Sequence, residues 1–231
     1  MFNSINRGLK ALITGNYSHK KFYSYLINKN DLCFDIGANK GLKSKLFLSL
    51  GARVIAFEPQ SSCEKYLQKI KHKNFKYFSI AVGAKDEIKD LNIANHIEVA
   101  TFSNEFIDYF KNDTLYWNYS EKVEVKKLDT LIDEHGIPDF CKIDVEGYEL
   151  EILSNLNHNI PIIEFEFTGG FIPNTIKIIE LLNKNDTFYN YNLNEFPKFE
   201  LKKWVKADEI VTIINNLPIN RLHGNIFIKN K

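Results

Sequence analysis

Residues 32–41 read LCFDIGANKG, and this stretch decides the fold. A short apolar run leads into Asp35 and then into Gly37 and Gly41, after which a helical pattern follows at 42–50. Glycine at a strand-to-helix turn lets the backbone approach a ligand closely, and the first turn of the helix offers free N–H groups. The stretch therefore predicts a ligand-binding turn at the carboxyl end of a buried strand.

The chemistry of this turn favours a cationic ligand. It reads D-x-G-x-N-x-G, so it lacks one glycine of the G-x-G-x-x-G dinucleotide pattern and begins with an acid. The carboxylate of Asp35 suits an ammonium group better than a pyrophosphate. The alternative is a glycine-rich turn that serves only tight packing.

Short apolar runs alternate with helical segments along the rest of the chain. This βαβ spacing predicts parallel neighbouring strands with right-handed crossovers, and the strand-rich end of the chain predicts an antiparallel edge. We expect strands at 32–34, 54–57, 75–81, 88–93, 123–125, 140–145, 160–167, 188–193, 200–204 and 225–229. We expect helices at 42–50, 61–71, 128–134, 148–156, 175–183 and 208–215, the second of them opened by a capping box at 61–64.

Polar residues follow the second and third strands. Glu58 comes directly after the second strand, where an acid in this topology accepts hydrogen bonds from ribose hydroxyls. Ser79 and Ala81 end the third strand, in a position to border an adenine ring. The alternative for Glu58 is an exposed loop carboxylate.

The segment KIDVEGYE at 142–149 places charge in a strand that should be buried. Lys142 and Asp144 point to the same side, and burying them unpaired would cost several kcal/mol. The next strand adds Glu164 and Glu166, which share a face. Because the carboxyl ends of parallel strands meet at one rim, these acids favour chemistry on a neutral hydroxyl; a structural ion-pair network is the alternative.

Composition excludes several classes of protein. The 231 residues carry 30 Lys and Arg against 29 Asp and Glu, so no long-range field supports nucleic-acid binding. The three cysteines are widely spaced and predict buried thiols in a reducing compartment. Without a signal peptide or an apolar run of about 20 residues, the chain is expected to be cytoplasmic with no membrane span.

Two regions, one at the amino terminus and one in the middle of the chain, lack the alternation of strands and helices. Residues 1–30 are predicted to form a helical appendage of two short amphipathic helices, which pack against the domain or against a second subunit of a homodimer. The alternative for the first helix is a membrane-surface helix, although its apolar face is short and its basic residues are few. Residues 95–121 predict an aromatic-rich insertion or lid containing one helix at most. Its aromatic residues offer a platform for a sugar ring or pin the loop to the domain, and both interpretations stay open: Phe102, Phe106, Tyr109, Phe110, Tyr116, Trp117 and Tyr119.

The segments DIGANKG, AFEPQ, SIAVG, KLDTLI and KIDVEGYELEIL resemble the FkbM-type family of S-adenosylmethionine-dependent methyltransferases, over about residues 31–167. The resemblance implies an α/β, Rossmann-like class I methyltransferase fold, a three-layer sandwich whose mostly parallel seven-stranded sheet has an antiparallel final strand. It also implies S-adenosylmethionine as cofactor and O-methylation of a small-molecule hydroxyl, such as that of a sugar or glycan. The cofactor-binding residues it implies are Asp35, Gly37, Ala38, Asn39, Gly41, Glu58, Ser79, Ala81 and Asp144.

For catalysis we hypothesise that Asp144 orients or deprotonates the acceptor hydroxyl. Glu146 or Glu164 would assist, and Lys142 would stabilise the charge. A second hypothesis is that Asp144 and Glu166 hold Mg²⁺, whose preferred ligands are oxygen atoms.

His223, which precedes the last predicted strand, has two interpretations. It is a further candidate for the base, or it is only a loop histidine. Two different functions also stay open for the chain as a whole. It could be a nicotinamide-dependent oxidoreductase or a non-catalytic cofactor-binding protein of the same fold.

Overall fold

The computed structural model describes residues 17–96, 99–218 and 223–230, so the predicted helix near residues 5–13 lies outside the described residues. The strands are β1 Leu32–Ile36, β2 Arg53–Phe57, β3 Phe75–Phe78, β4 Ala81–Gly83, β5 Glu87–Ala94, β6 Ala100–Thr101, β7 Trp117–Lys127, β8 Phe140–Ile143, β9 Ile162–Thr168, β10 Thr187–Leu193 and β11 His223–Asn230. The helices are α1 Tyr17–Tyr23, α2 Leu42–Ser49, α3 Ser61–Leu67, α4 Asn104–Phe110, α5 Leu128–His135, α6 Glu149–Leu153, α7 Ile172–Leu181 and α8 Ala207–Asn215, with a 3₁₀ turn at Gly169–Phe171.

The main sheet has seven strands in the order β10-β11-β9-β8-β1-β2-β3. The pairs among β3, β2, β1, β8 and β9 are all parallel, whereas β11 runs antiparallel to both β9 and β10. Strands β1 and β8 are buried along their whole length, as expected for central parallel strands with both faces covered. The predicted sheet with its antiparallel final strand is confirmed.

Helices cover both faces of this sheet. Helices α5 to α8 contribute Leu131, Ile152, Ile179 and Ile210 to the core on one face. Helices α1 and α2 close the other face against residues such as Phe140. The fold is therefore a three-layer sandwich, as expected. Cys33, Cys63 and Cys141 are free and buried, which confirms the predicted thiols.

Helix α1 is built into the core of this second face. Phe22 and Tyr23 are buried, and their rings contact Phe227 and Phe47 at centroid distances of 5.6 and 5.4 Å. Tyr25, which the spacing placed on the apolar face, is 73% exposed because the chain leaves the helix after Tyr23. Among the described residues, no helix is long and apolar enough to cross a membrane.

A second sheet with the order β4-β7-β5-β6 was not predicted. Strand β7 pairs antiparallel with β5 from Val125 opposite Glu87 back to Trp117 opposite Ala94. Most of β7 is solvent-exposed and polar, so apolar and polar residues do not alternate clearly along it. For this reason only residues 123–125 of β7 were predicted as a strand. Helix α4 lies between β6 and β7, and the Ser103 hydroxyl caps it by accepting a hydrogen bond from the Phe106 N–H at 3.1 Å.

Two local predictions are wrong. The capping box at 61–64 does not form, because Ser61 is itself the first helical residue and its N–H and hydroxyl donate to the Glu121 carboxylate at 3.1 and 2.9 Å. The strand at 200–204 is absent from the described chain. Its aromatic residue Trp204 packs on Phe199 beneath the main sheet, and only Val205 forms a bridge, to Tyr189.

Candidate functional site

A cavity of about 210 Å³ lies at the carboxyl ends of the central parallel strands. It is bounded by the turns that follow β1, β2, β8 and β9 and by the second sheet. Nine of the residues implied for cofactor, catalysis or metal line it: Gly37, Ala38, Asn39, Glu58, Ala81, Lys142, Asp144, Glu146 and Glu166. The rule that strand ends meet at one rim therefore located this cavity.

Four predicted residues do not line this cavity. Asp35 is completely buried and accepts a hydrogen bond from the Ser44 hydroxyl at 2.5 Å, so its carboxylate is held inside the domain. A Cβ at Gly41 would meet Leu67 and Ile70, so this glycine allows tight packing against α3. Ser79 is exposed after β3, and Glu164 is buried beneath the cavity. Each stands where the strand order predicted, but none of the four lines the cavity.

Gly37 joins the ends of three strands. Its φ of 72° lies in the left-handed region, and its N–H donates to the Phe57 carbonyl at 2.9 Å. A Cβ at this position would lie 1.8 Å from the Asp144 carbonyl oxygen. Only glycine fits here, and its absent side chain leaves the turn backbone open to the cavity.

Glu58 is held in place by backbone donors. It is 7% exposed, and its two carboxylate oxygens accept hydrogen bonds from the N–H groups of Asn39 at 2.7 Å and Gln60 at 2.9 Å. Burial raises the pKa of Glu58 to about 7, although these two donors lower it. Each oxygen keeps a further acceptor site, so the carboxylate can receive two more hydrogen bonds from a ligand.

Lys142 holds the Asp144 carboxylate in place through an ion pair. Its Nζ lies 2.9 Å from Asp144 Oδ2 and 3.9 Å from Asp35 Oδ1. Burial lowers the pKa of Lys142, but the negative charges of Asp144 and Asp35 together raise it by more than burial lowers it. The pKa of Lys142 is therefore above its ordinary value, and the ammonium stays charged. The prediction that Lys142 and Asp144 share a side and pair is confirmed.

A second buried network explains the position of Glu164. The Tyr23 hydroxyl donates to Glu164 Oε1 at 2.8 Å and accepts from Lys43 Nζ at 2.9 Å, and Lys43 lies 3.5 Å from Glu195. Lys43 and Glu195 line the cavity but were missed. Glu195 follows β10, whose carboxyl end lies at the same rim as that of β9. The rule that found Glu166 would therefore have found Glu195 too.

Three carboxylates cluster at the rim. One oxygen from each of Asp144, Glu146 and Glu166 lies within 4.8 Å of the other two. Burial, followed by the charge of Asp144, raises the pKa of Glu146 and that of Glu166 well above the ordinary value. Glu146 has a φ of 54°, and its carbonyl accepts a hydrogen bond from Thr101 at 2.7 Å, which ties the loop after β8 to the second sheet.

Another part of the cavity wall is apolar. Its side chains come from the second sheet, α4 and the segments beside them: Leu91, Val99, Phe102, Phe106, Phe110 and Leu115. Helix α4 is fixed there because Phe106 covers Gly147, whose added Cβ would lie 2.9 Å from the ring. Of the seven aromatic residues singled out in 95–121, three line the cavity, and Tyr109, Tyr116 and Tyr119 are 40–53% exposed.

His223 is the first residue of β11 and lines the cavity, so the expectation of a loop histidine is wrong. It is 8% exposed, and its Nε2 atom has no hydrogen-bond partner among the described residues. Burial lowers the pKa of His223. The imidazole is therefore neutral near pH 7 and has a ring nitrogen available for a ligand.

Glu149 makes the stability of the fold depend on pH. Its buried carboxylate accepts hydrogen bonds from the N–H groups of Val145 and Gly147 at 3.1 and 3.4 Å, and burial raises its pKa from 4.5 to about 7. The folded state then binds the proton more tightly than the unfolded state. The contribution of this proton to the free energy of unfolding is complete below pH 4.5. It is lost as the pH rises through 7, at up to about 1.4 kcal/mol per pH unit.

We therefore expect the free energy of unfolding of the wild type, relative to Glu149→Gln, to increase when the pH is lowered from about 7.5 to about 5. Urea unfolding at both pH values measures it. Glu180→Gln, at an exposed position in α7, is the control and should follow the wild type. Parallel pH dependence in the wild type and Glu149→Gln would contradict the assignment.

Two solved structures are similar to this chain. The plantazolicin methyltransferase BpumL, in complex with SAH, matches with a TM-score of 0.50 and 14% identity, over 99% of this chain and 88% of that chain. Precorrin-6y C5,15-methyltransferase from Geobacter metallireducens GS-15 matches with a TM-score of 0.49 and 12% identity, over 92% and 87% of the two chains. A search of curated protein sequences finds no significant match.

The sequence itself matches a family model. The Methyltransferase FkbM domain aligns with residues 35–193, which is more than half of the chain and runs from the end of β1 to the end of β10. The likeness to BpumL independently agrees with a class I methyltransferase fold. The chain belongs to the FkbM methyltransferase domain family.

Proposed function

We propose that this chain is an S-adenosylmethionine-dependent O-methyltransferase that acts on a hydroxyl of a small molecule, a sugar or glycan. One observation carries the proposal: the Gly37 turn, the Glu58 carboxylate and the Asp144 carboxylate all line a single cavity. When bound, S-adenosylmethionine supplies a methyl group whose bond to sulfur breaks, with the electron pair going to sulfur, as the bond to the acceptor oxygen forms.

The residues around the turn after β1 fit this cofactor. Glu58 has acceptor sites left for the two hydroxyls of a ribose. Gly37 and Ala38 leave room beside the backbone, while Ala81 and Val82 offer an apolar surface to a flat ring. The acids of the rim suit a positively charged sulfonium. BpumL is described in complex with SAH, the demethylated product, which supports the same use of this fold here.

On the acceptor side, Asp144 accepts the hydroxyl hydrogen bond and takes the proton as the oxygen attacks. Lys142 fixes the Asp144 carboxylate through its 2.9 Å ion pair, so the base does not need to reorganise during the reaction. The main contribution of the chain is alignment, because methyl transfer requires acceptor oxygen, carbon and sulfur to lie in line.

The walls of the cavity support a sugar acceptor. Phe102, Phe106 and Phe110 line the cavity and offer apolar surface to a pyranose, and the carboxylates of the same cavity offer acceptors for its hydroxyls. Lys142 and Lys43 already pair with carboxylates of the chain, which disfavours an anionic acceptor.

Cofactor choice is tested by thermal shift and calorimetry with SAH and NAD on the full chain. We expect SAH to raise the melting temperature and to bind at one site, and NAD to do neither, because the turn after β1 lacks one glycine of the G-x-G-x-x-G dinucleotide pattern. Stabilisation by NAD but not by SAH would support an oxidoreductase instead. A panel of hydroxyl-bearing sugars with methyl-labelled cofactor then tests transfer, and SAH binding without any methylated product would indicate a non-catalytic protein.

A further inference from the structure

Two carboxylates of the cavity have neither a positive partner nor a hydrogen bond in the described part of the chain. Lys142 pairs with Asp144, and Lys43 pairs with Glu195. Within 17–96, 99–218 and 223–230, the carboxylates of Glu146 and Glu166 form no ion pair and no hydrogen bond. Yet one oxygen of each lies within 4.8 Å of the other and of Asp144, so the three groups repel one another.

A second feature of the same cavity also favours a bound ligand. His223 is only 8% exposed, and its Nε2 atom lacks a hydrogen-bond partner in the described structure. In the antiparallel pair of β9 and β11, Asn225 stands opposite Glu166 and His223 stands opposite Thr168. His223 and Glu166 are therefore diagonal neighbours on one face of the sheet, within reach of a shared ligand. A buried ring nitrogen without a partner is unfavourable unless a bound group satisfies it.

We propose that Asp144, Glu146 and Glu166 bind one divalent cation of the Mg²⁺ type, and that His223 forms a hydrogen bond with one of its water ligands. A set of carboxylate oxygens suits a hard cation, and Mg²⁺ keeps several waters when few protein ligands hold it. Oxygens that bind one Mg²⁺ at about 2.0–2.1 Å lie at most about 4.2 Å apart. These three lie within 4.8 Å of one another, so small side-chain movements bring them to one ion. Since Lys142 occupies Asp144 Oδ2, the Oδ1 atom is left for the ion.

The consequence for the reaction rests on the proposed function. A cation held at this point would have water positions open to the cavity, and an acceptor oxygen can replace one of these waters. A hydroxyl bound to a divalent cation loses its proton more readily. The cation would also explain how the rim holds three acids without a matching number of basic side chains.

The test uses calorimetry with MnCl₂ and MgCl₂ on the full chain after dialysis against a chelator, without cofactor or acceptor. We expect one site per chain in the wild type, at least tenfold weaker binding in Glu166→Gln and in Glu146→Gln, and no change in the exposed control Glu180→Gln. Mg²⁺ should raise the melting temperature of the wild type and of the control, but not that of the two rim variants.

Absence of Mn²⁺ and Mg²⁺ binding at millimolar concentration in the wild type would overturn the site. So would equal affinity in the wild type and both rim variants, provided that circular dichroism shows them folded. Because these measurements need neither methyl transfer nor SAH, the two proposals fail separately. A chain that binds SAH but neither metal contradicts this inference alone, and one that binds metal but not SAH contradicts the proposed function alone.

Discussion

Gly37→Ala should weaken SAH binding by at least about a hundredfold, measured by calorimetry. The new Cβ would lie 1.8 Å from the Asp144 carbonyl oxygen, a distance that real Cβ atoms do not show, so the turn after β1 and the end of β8 must separate. This movement displaces the turn backbone and the loop that carries Asp144 and Glu146 together. The φ of 72° adds roughly 1–2 kcal/mol of backbone strain for any residue with a Cβ.

The matched control is Gly51→Ala. Gly51 also has a positive φ, of 90°, but its added Cβ would meet the side chain of Lys29 at 3.0 Å, far from the cavity, and this side chain can move. The control should lose stability and keep its affinity for SAH. If Gly37→Ala retained wild-type affinity, or if the two variants lost it equally while folded, the turn would not be a cofactor cradle.

The central part of the fold was predictable because its local signals agree. In the segments around Asp35 and Asp144, an apolar strand, a glycine and a helix follow one another, and each signal favours the same parallel arrangement. The pairing of Lys142 with Asp144 followed from strand periodicity and the cost of an unpaired buried charge. These inferences need only neighbours in sequence and the rule that strand ends meet at one rim.

The rest depends on contacts between distant segments. Periodicity places Glu164 and Glu166 on the same face of β9. In the structure, the buried Glu164 carboxylate accepts a hydrogen bond from Tyr23, whereas Glu166 lines the cavity. No pattern in β9 indicates that a tyrosine from α1 occupies the space under Glu164. The second sheet was missed for a similar reason, since β7 is recognisable as a strand only through its pairing with β5.

Asp144→Asn is expected to reduce the rate of methyl transfer by about 10²–10⁴-fold and to change SAH affinity only a few-fold. Asparagine keeps the shape of the side chain but cannot accept the hydroxyl proton, and it leaves Lys142 with Asp35 as its only acidic partner among the described residues, 3.9 Å away. The measurement compares single-turnover methyl transfer with SAH calorimetry on the same preparation.

The control Asp90→Asn makes the same chemical change in a surface pair with Lys122, where the aspartate side chain is 59% exposed, and should leave both quantities unchanged. A change of the cavity charge alone would alter binding of the cationic cofactor more than that of its neutral product, so both ligands are titrated. If Asp144→Asn lowered SAH affinity and the rate of methyl transfer to the same extent, the role of Asp144 would be to hold the turn that binds the cofactor. Loss of rate with intact SAH affinity assigns Asp144 to the acceptor side, as the base or as a ligand of the proposed cation. Unchanged Mn²⁺ affinity in Asp144→Asn then identifies the base, whereas weakened Mn²⁺ binding identifies the metal ligand.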